Sequence, residues 1–281
     1  MWPVACCFLA VHSNQSSGIV CQAMMQMNNI SLTDSMTWEH VPRCPTLVNY
    51  KYQTQKEMPA RFIFECAQKL NMKPLTSATA AILYHRFFRE LDDTEYDPYM
   101  IACSCLYLAG KIKDDKVRKR DVINVAHNTI NRGAPPLEPC DEYWSMWDTI
   151  VQAELFIARM LKFDMTIVHP HKYMLHFMKS LQDLFGAKEW HSMPVAKAAA
   201  AFLQDFHHSS KILDYKPAHT AVCCLALAFQ VYGVPVPLMD ETDETTNWYN
   251  VFCPELSRET YWEIMEHIMD VYNIETIMNE N

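Results

Sequence analysis

The side chains that carry most protein chemistry are cysteines, histidines and paired charges, and their spacing in this chain excludes several classes at once. The eleven cysteines are Cys6, Cys7, Cys21, Cys44, Cys66, Cys103, Cys105, Cys140, Cys223, Cys224 and Cys253. No two are three residues apart, so there is no C-x-x-C of zinc-ribbon or thioredoxin spacing. Their number is odd, and several lie in apolar runs where a free thiol behaves as a small hydrophobe, so reduced cysteines of an intracellular protein are expected. None of the twelve histidines precedes a Glu, which removes H-E-x-x-H. His169-Pro170-His171 and His207-His208 are local pairs with no cysteine or carboxylate at ligand spacing. Capping or surface roles are expected of them, and neither a metal nor a cofactor is expected. Five glycines, the nearest two 23 residues apart, leave no Gly-rich phosphate cradle.

Two charged residues break an apolar pattern. The segment Pro98-Tyr-Met-Ile-Ala-Cys-Ser-Cys-Leu-Tyr-Leu-Ala falls on Pro217-Ala-His-Thr-Ala-Val-Cys-Cys-Leu-Ala-Leu-Ala at an offset of 119, with six of twelve pairs identical. Beyond that match the first copy has Lys111 where the second has Gln230. Lys111 either favours the negative C-terminal end of its helix or marks a surface peculiar to the first copy. Glu154 falls on a stripe of Trp144, Trp147, Val151, Ala158 and Leu161, and apolar residues on every side suit a central bundle helix. A carboxylate there needs a partner or it costs several kcal/mol. It is either a solvated edge residue or internal ion pair, or it joins Lys111 at a docking surface.

The elements that position these residues read as helices throughout. Pro59 starts one reaching about Asn71; Pro74 breaks it, and Thr76 caps a second to about Leu91. Asp97-Pro98 opens a third to about Lys113, a fourth covers Lys119–Ile130, and Asp141 opens a fifth to about Phe163. The order then repeats: His169-Pro170 to Gly186, Pro194 to His208, Pro217 to Tyr232, a short turn at Trp248–Phe252, and a last helix capped by Ser257. No segment sustains a period of two, so essentially no sheet is expected. The fold class is all-α, with two tandem five-helix bundles at residues 58–165 and 166–281. Residues 1–57, with no charge before Asp34, read as a mostly disordered leader, with room for a short segment docked on the body. No stretch reaches the ~20 apolar residues of a membrane span.

Net charge is 24 Lys+Arg against 33 Asp+Glu, or −9. Residues 217–281 hold one basic and eleven acidic residues, which argues against a nucleic-acid grip. Lys116-Val-Arg-Lys-Arg120 reads as a nuclear import signal or as a solvated helix start.

Gln68-Lys-Leu-Asn-Met-Lys-Pro-Leu-Thr-Ser-Ala-Thr-Ala-Ala-Ile-Leu-Tyr-His-Arg-Phe-Phe88 resembles the first two helices of the cyclin box in its transcriptional form. Leu108-Ala-Gly-Lys111-Ile-Lys-Asp-Asp115 resembles the cyclin motif of a Lys followed by two acids, and Glu154 with Leu161 and Phe163 resembles its fifth-helix motif. The resemblance covers about residues 58–272. It implies paired cyclin folds, no catalytic residue, and a heterodimer with a cyclin-dependent kinase, of which kinase ten is the one implied. It gives Lys111, Glu154, Asp114 and Asp115 kinase-binding roles, with allosteric activation through the kinase αC helix and activation loop, in the nucleus or cytoplasm. Lys113-Asp114-Asp115 departs from the usual Val-Glu-Glu. The Met-Arg-x-x-Leu docking patch of mitotic cyclins is replaced by Gln55, Lys56 and Pro59. The alternatives are a transcription-factor-IIB-like DNA-binding module, which would need basic surfaces and a zinc ribbon, and an all-helical enzyme or apolar-ligand carrier.

Overall fold

The computed structural model describes residues 49–52, 57–91, 96–135, 137–186, 190, 193–236 and 247–279. The expected leader falls outside the described residues as far as position 48. Among the described residues there are nine α-helices, three short 3-10 helices and no strand. The first bundle is α1 Met58–Lys69, α2 Pro74–Glu90, α3 Pro98–Ile112, α4 Lys119–Ile130 and α5 Asp141–Met160. The second is α6 Pro170–Phe185, α7 Val195–Phe206, α8 Pro217–Val231 and α9 Arg258–Asn279, with 3-10 helices at Ser210–Asp214 and Trp248–Val251. The offset of 119 carries the bounds of α3 onto those of α8.

Local chemistry starts these helices where the caps predict. Asp97 accepts a hydrogen bond from the Tyr99 backbone N–H at 2.9 Å, with Pro98 at the first helical position. Ser257 Oγ accepts from the Thr260 N–H at 3.1 Å ahead of α9. The second helix departs from expectation. Pro74 opens α2 rather than merely ending α1, because Lys73 is extended and Pro needs no intrahelical donor at that position. Thr76 therefore lies inside α2 and is not its cap.

Each bundle surrounds one helix buried on nearly all sides. In α3 every residue from Ile101 to Gly110 except Tyr107 is buried, and in α8 every residue from His219 to Phe229 is buried. The central role expected of α5 belongs to α3 instead. In α5 only Tyr143, Ile150, Ala153, Ile157 and Ala158 are buried, while Trp144, Val151 and Leu155 are 54%, 41% and 51% exposed. Two apolar clusters divide the molecule in the same way. One gathers Phe62, Ile63, Leu83, Phe87, Leu106, Ile123, Ile150 and Ile157. The other gathers Phe177, Leu181, Leu203, Phe206, Leu225, Ile264 and Ile268. Each such side chain contributes about 1.5–3 kcal/mol by leaving water.

The first cluster also takes in Tyr50, which is 2% exposed and lies in the 3-10 helix Tyr50–Tyr52. Its hydroxyl donates to Glu65 Oε2 at 2.7 Å, and Glu65 also pairs with Arg132 at 2.9 Å and Lys69 at 3.0 Å. Burial pushes the Glu65 carboxyl up, but the Tyr50 hydroxyl and the two cations outweigh it and hold it below the ordinary glutamate range.

The seam between the bundles is polar and rich in histidine. His85 Nε2 donates to the His207 carbonyl at 2.9 Å, Thr79 Oγ1 lies 2.9 Å from His169 Nε2, and Arg89 pairs with Asp214 at 2.5 Å. Among the described residues no helix is long and apolar enough to cross a membrane. The seven described cysteines are all free.

Candidate functional site

The C-terminal turn of α3 sets the position of Lys111. The Asp115 N–H bonds the Gly110 carbonyl at 2.8 Å, and the Asp114 N–H bonds the Lys111 carbonyl at 3.4 Å. With Asp114 at φ +50°, this is the Schellman arrangement that closes a helix through one left-handed residue. A Cβ at Gly110 would sit 3.4 Å from the Asp115 carbonyl and 3.6 Å from Val117, so the returning chain lies at ordinary contact distance from this position. The second bundle closes α8 in the same way, with Gly233 at φ +62° and Val234 N–H bonding the Phe229 carbonyl at 3.0 Å.

Lys111 and Glu154, 43 positions apart, meet across α3 and α5. Lys111 Nζ lies 2.5 Å from Glu154 Oε1, with the side chains 50% and 22% exposed. Burial pulls the ammonium down, but the hydrogen bond and charge of Glu154 outweigh it and hold Lys111 above the ordinary lysine range. Of the readings open at the sequence level, a partly exposed ion pair is the one observed. Beside it Lys111 Nζ stands 4.7 Å from the Tyr107 ring, and Lys119 Nζ stands 4.5 Å from the Trp147 ring.

The helix that carries Glu154 also exposes Trp144, Val151 and Leu155 along its outer face. Past the helix end, Phe163 is 63% exposed at φ +59°, held by a bond from its N–H to the Ala158 carbonyl at 2.8 Å.

The two acids after Lys111 separate. Asp114 is exposed. Asp115 turns inward: its Oδ2 accepts from the Lys73 backbone N–H and the Thr76 hydroxyl, both at 2.9 Å, joining the end of α3 to the start of α2. Sequence reasoning did not find this structural use of Asp115. It also missed the exposure of Trp144 and Leu155, which an apolar stripe on a helix does not distinguish from core.

Residues 29–166 match the family described as Cyclin, N-terminal domain. That match spans just under half of the chain, and over it the chain is similar to a cyclin N-terminal domain. The matched region contains Lys111, Asp114, Asp115, Glu154 and Phe163. The chain is 26% identical over 226 residues to putative cyclin-T1-1 of Arabidopsis thaliana, covering 80% of this chain and 86% of that protein. It is also 26% identical over 221 residues to cyclin-T2 of Homo sapiens, covering 77% of this chain but only 28% of that larger protein. In fold it resembles a chain of the yeast RNA Pol II CTD kinase CTDK-1 complex, with a TM-score of 0.62 and 18% identity over 79% of this chain and 66% of that one. The cyclin match begins at residue 29, well before α1, and the docking of Tyr50 against Phe62 and Tyr99 shows part of that early segment packing on the domain.

Proposed function

We propose that this chain is a cyclin: a non-catalytic subunit that binds and activates a cyclin-dependent serine/threonine kinase. The observation that carries the reading is the partly exposed Lys111–Glu154 pair in the cyclin-like region, whose fifth helix and its end also expose Trp144, Val151, Leu155 and Phe163. Such a surface offers aromatic and aliphatic anchors and a fixed pair of opposite charges, which supplies affinity through the former and register through the latter. On this reading residues 58–165 form the kinase-binding fold and residues 166–281 the supporting one. Asp114 adds an acid at the rim, and Asp115 acts mainly by holding the turn that presents Lys111.

The mechanism follows from differential binding. A kinase αC helix exchanges between an outward position and an inward one in which the kinase's own Lys–Glu pair forms. A surface that fits the inward position more tightly shifts the population by its difference in affinity for the two. The cyclin then raises activity without touching the transferred phosphate.

Within the family we assign the chain to the transcriptional branch and to the cyclin Q (cyclin M) type, with kinase ten as partner and a nuclear site of action. The assignment rests on likeness in Tyr96-Asp-Pro-Tyr99, Asp121-Val-Ile-Asn-Val125, His169-Pro-His-Lys-Tyr173 and Gln230-Val-Tyr-Gly-Val234. The test is co-purification of the chain with a panel of cyclin-dependent kinases, followed by a phosphorylation assay. Selective binding and activation of kinase ten supports the assignment. Activation of a different kinase keeps the cyclin reading and removes the finer one, and binding to none overturns both.

A further inference from the structure

α6 starts and α7 ends at the seam, and their packing gathers three imidazoles from two separate sequence pairs. One ring nitrogen from each of His169, His171 and His207 lies within 4.8 Å of the other two. The ring centroids are 6.0 Å apart for His169 and His171, 6.5 Å for His169 and His207, and 5.4 Å for His171 and His207.

Hydrogen bonds fix two of the tautomers. Thr79 Oγ1 lies 2.7 Å from the Leu75 carbonyl, so its one hydrogen is donated there. Its oxygen then accepts from His169 Nε2–H at 2.9 Å, which leaves a lone pair on His169 Nδ1. His207 Nδ1–H donates to the Leu203 carbonyl at 2.7 Å, which leaves a lone pair on Nε2. Those two nitrogens and His171 Nδ1 have no hydrogen-bond partner among the described residues. His169 is 6% exposed and His207 is fully buried. Three unpaired nitrogens of buried or half-buried rings at one place is an arrangement that folded proteins avoid unless something binds there.

We propose that His169, His171 and His207 form a binding site for a borderline divalent transition-metal ion of the zinc class, which clamps α6 to α7 beside the first bundle. Three imidazoles with a fourth position left to water is a known zinc donor set, whereas calcium and magnesium require oxygen donors that this cluster lacks. The N–H of His169 and of His207 that does not face the cluster is held by a hydroxyl and a carbonyl, the outer contacts that orient imidazole ligands. Tetrahedral ligation needs nitrogens about 3.3 Å apart, so each ring closes by roughly 1 Å on the ion. Only the neutral ring ligates, and burial disfavours the charged form of all three. Lys113 and Arg86 lie near enough to His169 for their charges to oppose a bound dication.

The test uses the full chain stripped with a chelator and titrated with Zn2+ and with Co2+. One equivalent of Co2+ should give the visible bands of a tetrahedral nitrogen site without a thiolate charge-transfer band, and Zn2+ should raise the melting temperature. His171→Asn, at a half-buried position, should weaken binding at least tenfold and abolish the thermal gain. Thr79→Val, which removes the acceptor for His169 together with the donor to the Leu75 carbonyl but no ligand, should weaken it about 10–100-fold. His176→Asn, exposed on the same helix, should change nothing. Absence of stoichiometric uptake, a thiolate signature, or equal affinity in folded His171→Asn and Thr79→Val would each overturn the site.

Discussion

Reversing one charge, Lys111→Glu, separates a binding role from a structural one. In the free chain the pair with Glu154 joins a half-exposed lysine to a carboxylate that is 22% exposed. Pairs of this kind contribute about 0–1 kcal/mol to stability. The substitution sets two carboxylates against each other, at roughly 1–4 kcal/mol for about 4 Å in a surface dielectric. Rotation of the new side chain into water and screening by salt leave about 1 kcal/mol of destabilisation. That lowers the melting temperature by about 2–4 °C in a fold of this size. Under a docked kinase neither relief is open. Disrupting a buried, hydrogen-bonded charge at an interface costs about 2–5 kcal/mol, a weakening of roughly 30-fold to several thousand-fold. The assay is a titration of purified kinase with wild-type and variant chain, read by binding and by phosphorylation, beside thermal melts of the free chains. Affinity within threefold of wild type in a folded variant would refute the reasoning. So would a melting loss large enough to account for the lost binding by unfolding alone.

Other sites test the same division. Trp144→Ala and Leu155→Ala, at positions about half exposed, should each weaken kinase binding tenfold or more while leaving the melting temperature nearly unchanged. Asp115→Ala should instead destabilise the free chain by about 1–2 kcal/mol, because it strips acceptors from the Lys73 N–H and the Thr76 hydroxyl, and calorimetry would show it. Glu65 has its folded pKa depressed by Tyr50, Lys69 and Arg132 against the pull of burial, so its stabilisation is full above the unfolded value of about 4.3 and is lost as pH falls through the folded one. Glu65→Gln should lower stability at neutral pH and flatten the acid limb of a denaturation series; an unchanged limb would remove Glu65 as its source.

Much of the fold was legible because local chemistry decides it. Asp97-Pro98 places its own helix start, the bounds of α4 are those its sequence pattern implies, and the offset of 119 survives as the register between α3 and α8. What was not legible depends on contacts distant in the chain. The pairing of Asp115 with Lys73 and Thr76 needs α3 to return beside α2, and no local pattern encodes it. The three imidazoles come from a helix start and a helix end, so each histidine pair alone has too few ligands. Period alone cannot tell which apolar stripe of α5 faces inward: Tyr143, Ile150 and Ile157 do so, and Trp144, Val151 and Leu155 do not. Thr76 looked like a cap because hydroxyls favour caps, but the proline two residues earlier already meets the requirement of the helix start.

The two bundles solve one structural problem twice, with different residues. Both central helices end by placing a single residue in the left-handed region. The second bundle uses Gly233, the residue with least strain there, followed by apolar Val234. The first uses Asp114, which tolerates that conformation less well than glycine, followed by Asp115 and preceded by the charged Lys111. Phe163, after α5, departs further from the local optimum: a bulky aromatic at φ +59°, 63% exposed to water. Both conformations close their helix ends, and the second bundle does so with less strain at the position that matches Asp114. A residue held against its local preference in one copy, and replaced by glycine at the matching position of the other, is a departure that a partner would account for. On the proposed reading, that difference favours the first bundle as the kinase-binding one by an argument independent of the charge on Lys111.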